Sequence, residues 1–280
     1  MNITKMKTDV SLSASLAIDA LGPDLRGAMS VARDAGFVGI AAANHHPELA
    51  SLDFGPTARR HFRHLLQRQH LRLTCVRAVS TRGGLFDSKT LDQVMTSAVG
   101  AIRLAYDLRA AAVSLYAGAP ARSSESTVPL SEAVVAAAQS LAGEADRAGL
   151  KLCLSSSSID FLLELFGRLG AGHVRANLDT ARLALDGPDL LQAADRLGPW
   201  VGMWTLADGI RTKTSFRPTE LGHGDLPVAE ILVRTDGLNW SGDLLVDVRD
   251  LPNPQQGART AALVLRSARL QRASDHHGPA

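Results

Sequence analysis

Apolar positions along the chain follow two alternating rhythms. Short, nearly continuous apolar runs recur at residues 9–15, 37–43, 71–79, 110–117, 150–156, 173–179, 200–206 and 243–247. Runs of this kind are expected of strands buried on both faces, as in a parallel sheet. Longer stretches with helical spacing separate them. Leu25, Ala28, Val31 and Ala32 form one apolar stripe. Residues 131–148 read SEAVVAAAQSLAGEADRA, acidic early and with Arg147 late, which complements the helix dipole. Gly149 follows and is placed to cap that helix; Gly36 and Gly170 stand likewise after helical runs.

Eight strand–helix repeats predict an α/β fold, a (β/α)₈ TIM barrel, in a single domain over residues 1–280. A doubly wound sheet produces the same alternation. The count of eight favours the barrel, and no G-x-G-x-x-G follows an early strand. Gly22-Pro23 and Gly187-Pro188 are turn punctuation, no stretch reads as a domain linker, and the polar tail 273–280 is expected to fray. In a barrel the chemistry gathers at the C-terminal ends of the strands. Those zones lie near residues 15–19, 43–48, 77–84, 116–122, 155–160, 179–182, 204–211 and 247–250.

Composition narrows the function. Hydrophobic residues make up 45% and charged residues 21%, which excludes a rod, a collagen or a wholly disordered chain. Thirty basic against 28 acidic side chains leave a net charge of +2, and aromatics are 4%. Neither a broad polyanion surface nor a set of base-stacking platforms follows, so no nucleic-acid partner is expected. Cys75 and Cys153 each sit in an apolar run without a CxxC partner. Two buried free thiols suit a reducing cytosol. Residues 1–10 lack the apolar core of a secretory signal and no apolar stretch reaches membrane-spanning length, so a cytoplasmic protein without a membrane partner is expected.

Four segments carry a family likeness: Asn177-Leu178-Asp179-Thr180-Ala181-Arg182, Trp204-Thr205-Leu206-Ala207-Asp208, Leu221-Gly222-His223-Gly224-Asp225 and Leu244-Leu245-Val246-Asp247. In order and spacing they resemble the xylose isomerase-like barrel superfamily of sugar isomerases and epimerases, inosose dehydratases, hydroxypyruvate isomerases and AP endonucleases. Residues 35–40, AGFVGI, look like that family's entry to its second strand. The resemblance implies a divalent metal on a Glu ending strand five, an Asp ending strand six, a His ending strand seven and a Glu ending strand eight. A further His usually follows the strand-six Asp by three residues.

Carried over by position, these become Ser155 or its neighbour Ser156, Asp179, Thr205 and Asp247, with Arg182 for the further His. A Lys two residues past the strand-seven His becomes Ala207, and a Glu common at the end of strand two falls at Ala41. Hard divalent ions require several carboxylate or imidazole donors. Hydroxyls substitute poorly, and Arg182 adds a permanent positive charge. Two unit charges ~5 Å apart repel by ~3 kcal/mol at an effective dielectric of 20, and a divalent ion doubles that. The expectation is a vestigial, metal-free site at Ser155, Asp179, Arg182, Thr205 and Asp247, with no cofactor; the alternative is a weakly bound Mn, Mg or Zn.

Around that centre, Asp179 and Asp247 are candidate acid or base. Arg182 is either an anion clamp or a structural partner of Asp179. Candidate ligand contacts are Arg77 and Tyr116 at the ends of strands three and four, Ser155, Thr205, His45 after strand two, and His223 in the Gly-His-Gly-Asp loop. Trp204 either stacks on a sugar face or plugs the vacated cavity. Arg211, Lys213 and Arg217 read as a basic loop, and Asp208 as a turn cap or a partner of Arg211. In residues 155–158, four serines, Ser157 or Ser158 is expected to cap the next helix, and no G-x-S-x-G elbow supports a serine nucleophile.

Three functions follow. The first is an isomerase/epimerase-like barrel that binds a small anionic polyol or sugar derivative with little classical isomerase activity. The second is an active metal-dependent isomerase, epimerase or lyase with a rearranged site. The third is a non-catalytic accessory or scaffold subunit, as a homodimer or with a partner protein. DNA repair is disfavoured, because its multi-metal His-rich positions are Ala, Ser, Arg and Thr here.

Overall fold

The computed structural model describes residues 12–51, 54–120, 130–170, 172, 174–186, 189–212, 215–237 and 244–275. The expected strand residues 9–11, 173 and 243 and the tail residues 276–280 lie outside them. Ten strands occur among the described residues: β1 (Leu12–Ala17), β2 (Phe37–Ala43), β3 (Arg72–Arg77), β4 (Ala112–Tyr116), β5 (Lys151–Ser155), β6 (Val174–Asp179), β7 (Val201–Leu206), β8 (Asp208–Arg211), β9 (Phe216–Thr219) and β10 (Leu244–Val246). The α-helices are α1 (Leu25–Ala35), α2 (Pro47–Ala50), α3 (Pro56–Arg68), α4 (Leu91–Leu108), α5 (Glu132–Ala148), α6 (Ile159–Leu169), α7 (Thr180–Asp186), α8 (Leu190–Leu197), α9 (Val228–Gly237) and α10 (Pro254–Asp275).

Eight strands close into a barrel in the order β1-β10-β7-β6-β5-β4-β3-β2. Every barrel pairing is parallel. This is the (β/α)₈ architecture, and each of its strands overlaps one of the eight apolar runs. The first strand runs to Ala17, two residues past the expected end, because Ala17 is in register with Ala41 of β2. The basic loop is a correction: Asp208–Arg211 and Phe216–Thr219 pair antiparallel as a hairpin outside the barrel. Lys213 lies outside the described residues.

Side-chain alternation divides the core. Ala17, Ala41, Cys75, Ala112, Cys153, Met203 and Leu245 form the axial cluster. Their outward-facing neighbours, including Leu16, Ile40, Val76, Val113, Leu152 and Leu244, pack into the larger layer beneath the helices. Both cysteines are free and buried. Burial pushes the thiols up to about 11 for Cys75 and about 12 for Cys153, so they are packing residues rather than nucleophiles.

Local caps follow the sequence. Asp24 accepts the Arg26 N–H at the start of α1, and Ser131 and Ser158 cap α5 and α6. Gly36 ends α1 at φ +90°, and a Cβ there would collide with the Arg266 guanidinium, which donates to the Ala35 carbonyl. Among the described residues no helix is long and apolar enough to cross a membrane.

Candidate functional site at the barrel mouth

The C-terminal ends of the strands carry a charge network. Arg77, the last residue of β3, donates through Nη1 to Asp19 at 3.0 Å and pairs through Nη2 with Asp247 at 3.2 Å. Arg249 reaches the same Asp247 carboxylate at 2.6 Å. Asp19 also accepts the Ala43 N–H at 2.6 Å, and Asp247 accepts the Arg249 N–H at 3.1 Å. The Arg77 side chain is only 12% exposed and that of Asp247 only 3%. Burial works against the Arg77 charge, but Asp247, then Asp19 and Asp179, outweigh it and hold the guanidinium more firmly protonated than usual.

Above this network opens a cavity of about 510 Å³. Its wall includes Arg77, Tyr116, Ser155, Asn177, Asp179, Arg182, Thr205, Arg249 and His45. The strand period explains the grouping: Asn177 and Asp179 of β6 share one face, and Thr205 of β7 stands opposite Asp179 in register. Thr205 donates to the Asn177 side-chain oxygen at 3.0 Å, which leaves the Asn177 amide N–H groups for another partner.

Arg182 stands one helical turn beyond Asp179. Its backbone N–H donates to Asp179 Oδ1 at 3.2 Å, while its guanidinium lies over the Tyr116 ring, 3.9 Å from the centroid. No ion pair joins Arg182 to Asp179 or Asp247 among the described residues. The structural-bridge expectation for Arg182 is thus corrected: Arg77 and Arg249 neutralise Asp247, and Arg182 rests on an aromatic face.

Burial raises the Asp179 acid above the ordinary carboxylate range. Arg182 opposes that shift, and Asp247 adds to it. The folded chain therefore holds this proton more tightly than the unfolded chain does. Its stabilising contribution is complete below the unfolded value of 3.8 and is lost as pH rises through the higher folded value. Asp179→Asn should raise the neutral-pH melting temperature, the gain vanishing in acid. Calorimetric melts across pH check this; an equal or lower neutral-pH melting temperature would contradict it.

Two expected ligand contacts lie elsewhere. Trp204 is 2% exposed and belongs to the helix-facing layer. It follows inward-facing Met203 and precedes Thr205, so it points away from the axis, neither stacking at the mouth nor plugging it. His223 is exposed on its loop and its N–H donates to the Glu220 carbonyl, away from the cavity wall. Asp247 lies beneath the wall rather than on it. Of the serines, Ser156 donates to the Gly118 carbonyl at 2.6 Å, so Ser155 is the one at the cavity. Asp19, Asn177 and Arg249 were not singled out from sequence. Their signals were modest: Asp19 falls in the first strand-end zone, and Asn177 and Arg249 each stand two residues from a named Asp.

Asp208 takes the turn-capping role of the two expected for it, with more donors than one turn supplies. Buried at the start of β8, it accepts backbone N–H groups from Gly209 at 2.8 Å and Leu226 at 3.0 Å on Oδ1. Its Oδ2 takes Gly222 at 2.8 Å and Gly224 at 3.1 Å. One carboxylate thereby pins the whole Gly-His-Gly-Asp loop. A Cβ at Gly224 would collide with the Asp208 carboxylate and the Gly209 backbone. Gly224→Ala should therefore lower the melting temperature by several degrees; a neutral effect would contradict this packing.

The family model for the xylose isomerase-like TIM barrel matches residues 29–268, and the chain belongs to that family. Among solved structures it is similar to a xylose isomerase domain protein from Planctomyces limnophilus, at 19% identity and TM-score 0.78, over 94% of this chain and 99% of that one. A xylose isomerase-like TIM barrel protein from Mycobacterium smegmatis, in complex with magnesium, aligns at 17% identity and TM-score 0.69, over 91% and 96%. A 3-keto-D-glucoside 4-epimerase from E. coli aligns at 14% identity and TM-score 0.70, over 91% and 98%. No curated protein sequence matches the chain significantly.

The residues at the mouth can be tested against the metal the family implies. Among the described residues no three His, Cys, Asp or Glu side chains converge to hold an ion. Asp19 and Asp247 are committed to Arg77, and three guanidiniums line the cavity. Ser155 and Thr205 offer only neutral hydroxyls. This donor set does not suit a hard divalent cation.

Proposed function

We propose that the barrel mouth binds a small anionic polyol or sugar derivative, with little or no metal-assisted isomerisation. One observation carries this reading. Of the three guanidiniums on the cavity wall, Arg77 and Arg249 are paired with carboxylates, whereas Arg182 has no ion-pair partner among the described residues. A half-buried guanidinium of this kind favours an anion.

In this account Arg182 takes the charged end of the ligand. Asn177, Ser155, Thr205, Tyr116 and His45 supply polar contacts for hydroxyl groups. Asp179, whose burial favours the protonated form, is the acid or base of any turnover. Asp247 and Arg77 act as positioning residues that keep the wall in place. The sugar named for the E. coli neighbour supports a sugar-like ligand.

A rearranged metal-dependent isomerase is the rival reading, favoured by the magnesium of the Mycobacterium smegmatis neighbour and by carboxylates at two family ligand positions. An accessory subunit, whether homodimeric or bound to a partner protein, is the third.

The test is a thermal-shift panel of D-gluconate, D-glucuronate, D-glucose 6-phosphate and uncharged D-glucose, run on the wild type and Arg182→Gln. A ligand at 100 times its Kd stabilises by about 2.7 kcal/mol, or several degrees for a chain of this size. The expected result is stabilisation by at least one anion, little by glucose, and loss of the response in Arg182→Gln. Equal stabilisation by glucose, or an unchanged response in the variant, would overturn the reading.

A further inference from the structure

We infer that the anion is a carboxylate, and that the ligand class is a polyhydroxy monocarboxylate, a sugar acid, rather than a phosphate ester. The inference rests on the anion-binding reading above and adds the identity of the charged group.

The first support is charge matching. Asp19 and Asp247 pair with Arg77 and Arg249, while Arg182 makes no ion pair among the described residues and shares the wall with Asp179 and Asp250. With carboxylates on the same wall, a ligand of one negative charge is accommodated more easily than a ligand of two. A phosphoryl group near neutral pH carries between one and two negative charges. Its excess charge would stand in a cavity also lined by Asp19, Asp179 and Asp250, where like charges repel.

Geometry is the second. The guanidinium of Arg182 lies on the Tyr116 ring at 3.9 Å from its centroid. Stacking occupies one face of the planar group and leaves its N–H edge available. That edge presents parallel donors spaced for the two oxygens of a carboxylate; phosphate oxygens fit the same fork, and it is the charge of the wall that decides against them.

The third support is the remainder of the wall. The Asn177 amide is held by Thr205 with its N–H groups unspent, and the Ser155 and Tyr116 side chains line the same cavity. These are donors and acceptors suited to a chain of hydroxyls. Tyr116 on this view is a specificity residue, because it fixes the plane of the guanidinium.

Isothermal titration with D-gluconate, D-glucuronate, D-glucose 6-phosphate, inorganic phosphate and D-glucose decides the matter. The expected result is that at least one of the two carboxylates binds ten times or more tightly than the phosphate ester, phosphate and glucose. Arg182→Lys keeps the charge without the planar fork and should weaken the carboxylate by about tenfold; Arg182→Gln should abolish binding. Tyr116→Leu, with Arg182 intact, should narrow the carboxylate-over-phosphate preference. Tighter, Arg182-dependent binding of glucose 6-phosphate or phosphate would overturn the carboxylate assignment and leave the anion reading standing. Equal binding of glucose, or no binding by any of the five, would overturn both. Full carboxylate affinity in Arg182→Lys would overturn the fork geometry on which the assignment depends.

Discussion

Arg77→Met is expected to destabilise the protein by about 3–5 kcal/mol, the range for leaving a buried charge without its partner. Arg77 joins the end of β3 to Asp19 beyond β1 and to Asp247 beyond β10, across the seam where the barrel closes. The methionine fills much of the same volume, so the loss reads charge rather than cavity. Arg249 still faces Asp247 in the variant, but Asp19 is left with a single backbone donor, Ala43 N–H. Adding Asp19→Asn and Asp247→Asn to Arg77→Met should recover most of the loss, since an interaction energy is expected among groups in contact. Urea unfolding of the single and triple variants measures both. A loss under 1 kcal/mol, or a triple variant no better than the single, would show that the network is not coupled as described.

Asp208→Asn is the second large effect. Each oxygen of this carboxylate accepts two backbone N–H groups: Gly209 and Leu226 on one, Gly222 and Gly224 on the other. An asparagine supplies one accepting oxygen, and its amide nitrogen meets the other pair of donors in either orientation. Two N–H groups, at least one of them part-buried, then lose their acceptor, at about 1 kcal/mol or more each. A fall in the melting temperature of about 4 °C or more follows for a chain of this size. The loop from Gly222 to Leu226 should also exchange its amide hydrogens faster. Unchanged exchange in that loop would contradict the role given to Asp208.

The strands of the barrel were legible because burial on both faces leaves unbroken apolar runs. The hairpin of β8 and β9 was not, since its residues 208–211 and 216–219 are short and partly exposed, with Arg211 and Arg217 among them, and carry no such run. At the site, Asp179, Arg182, Thr205, Ser155, Tyr116 and Arg77 were visible as residues near strand ends. Their division of labour was not. Arg77 and Asp247 are distant in sequence, and only barrel closure shows that they pair with each other rather than with Arg182. Trp204 was misplaced for a local reason: it adjoins Thr205 in the chain, but successive strand residues face opposite sides. The Asp208 network is backbone-directed, and loop N–H groups leave no trace in side-chain pattern.

The central claim is that the mouth is built for an anion at Arg182 and not for a divalent cation. Calorimetric titration of chelator-treated protein with Mn²⁺, Mg²⁺, Zn²⁺ and Co²⁺ tests it most directly. The account predicts no stoichiometric binding of any of the four and no rise in melting temperature. One ion bound tightly per chain, and lost in Asp179→Asn, would contradict it and return the protein to metal-assisted isomerase chemistry.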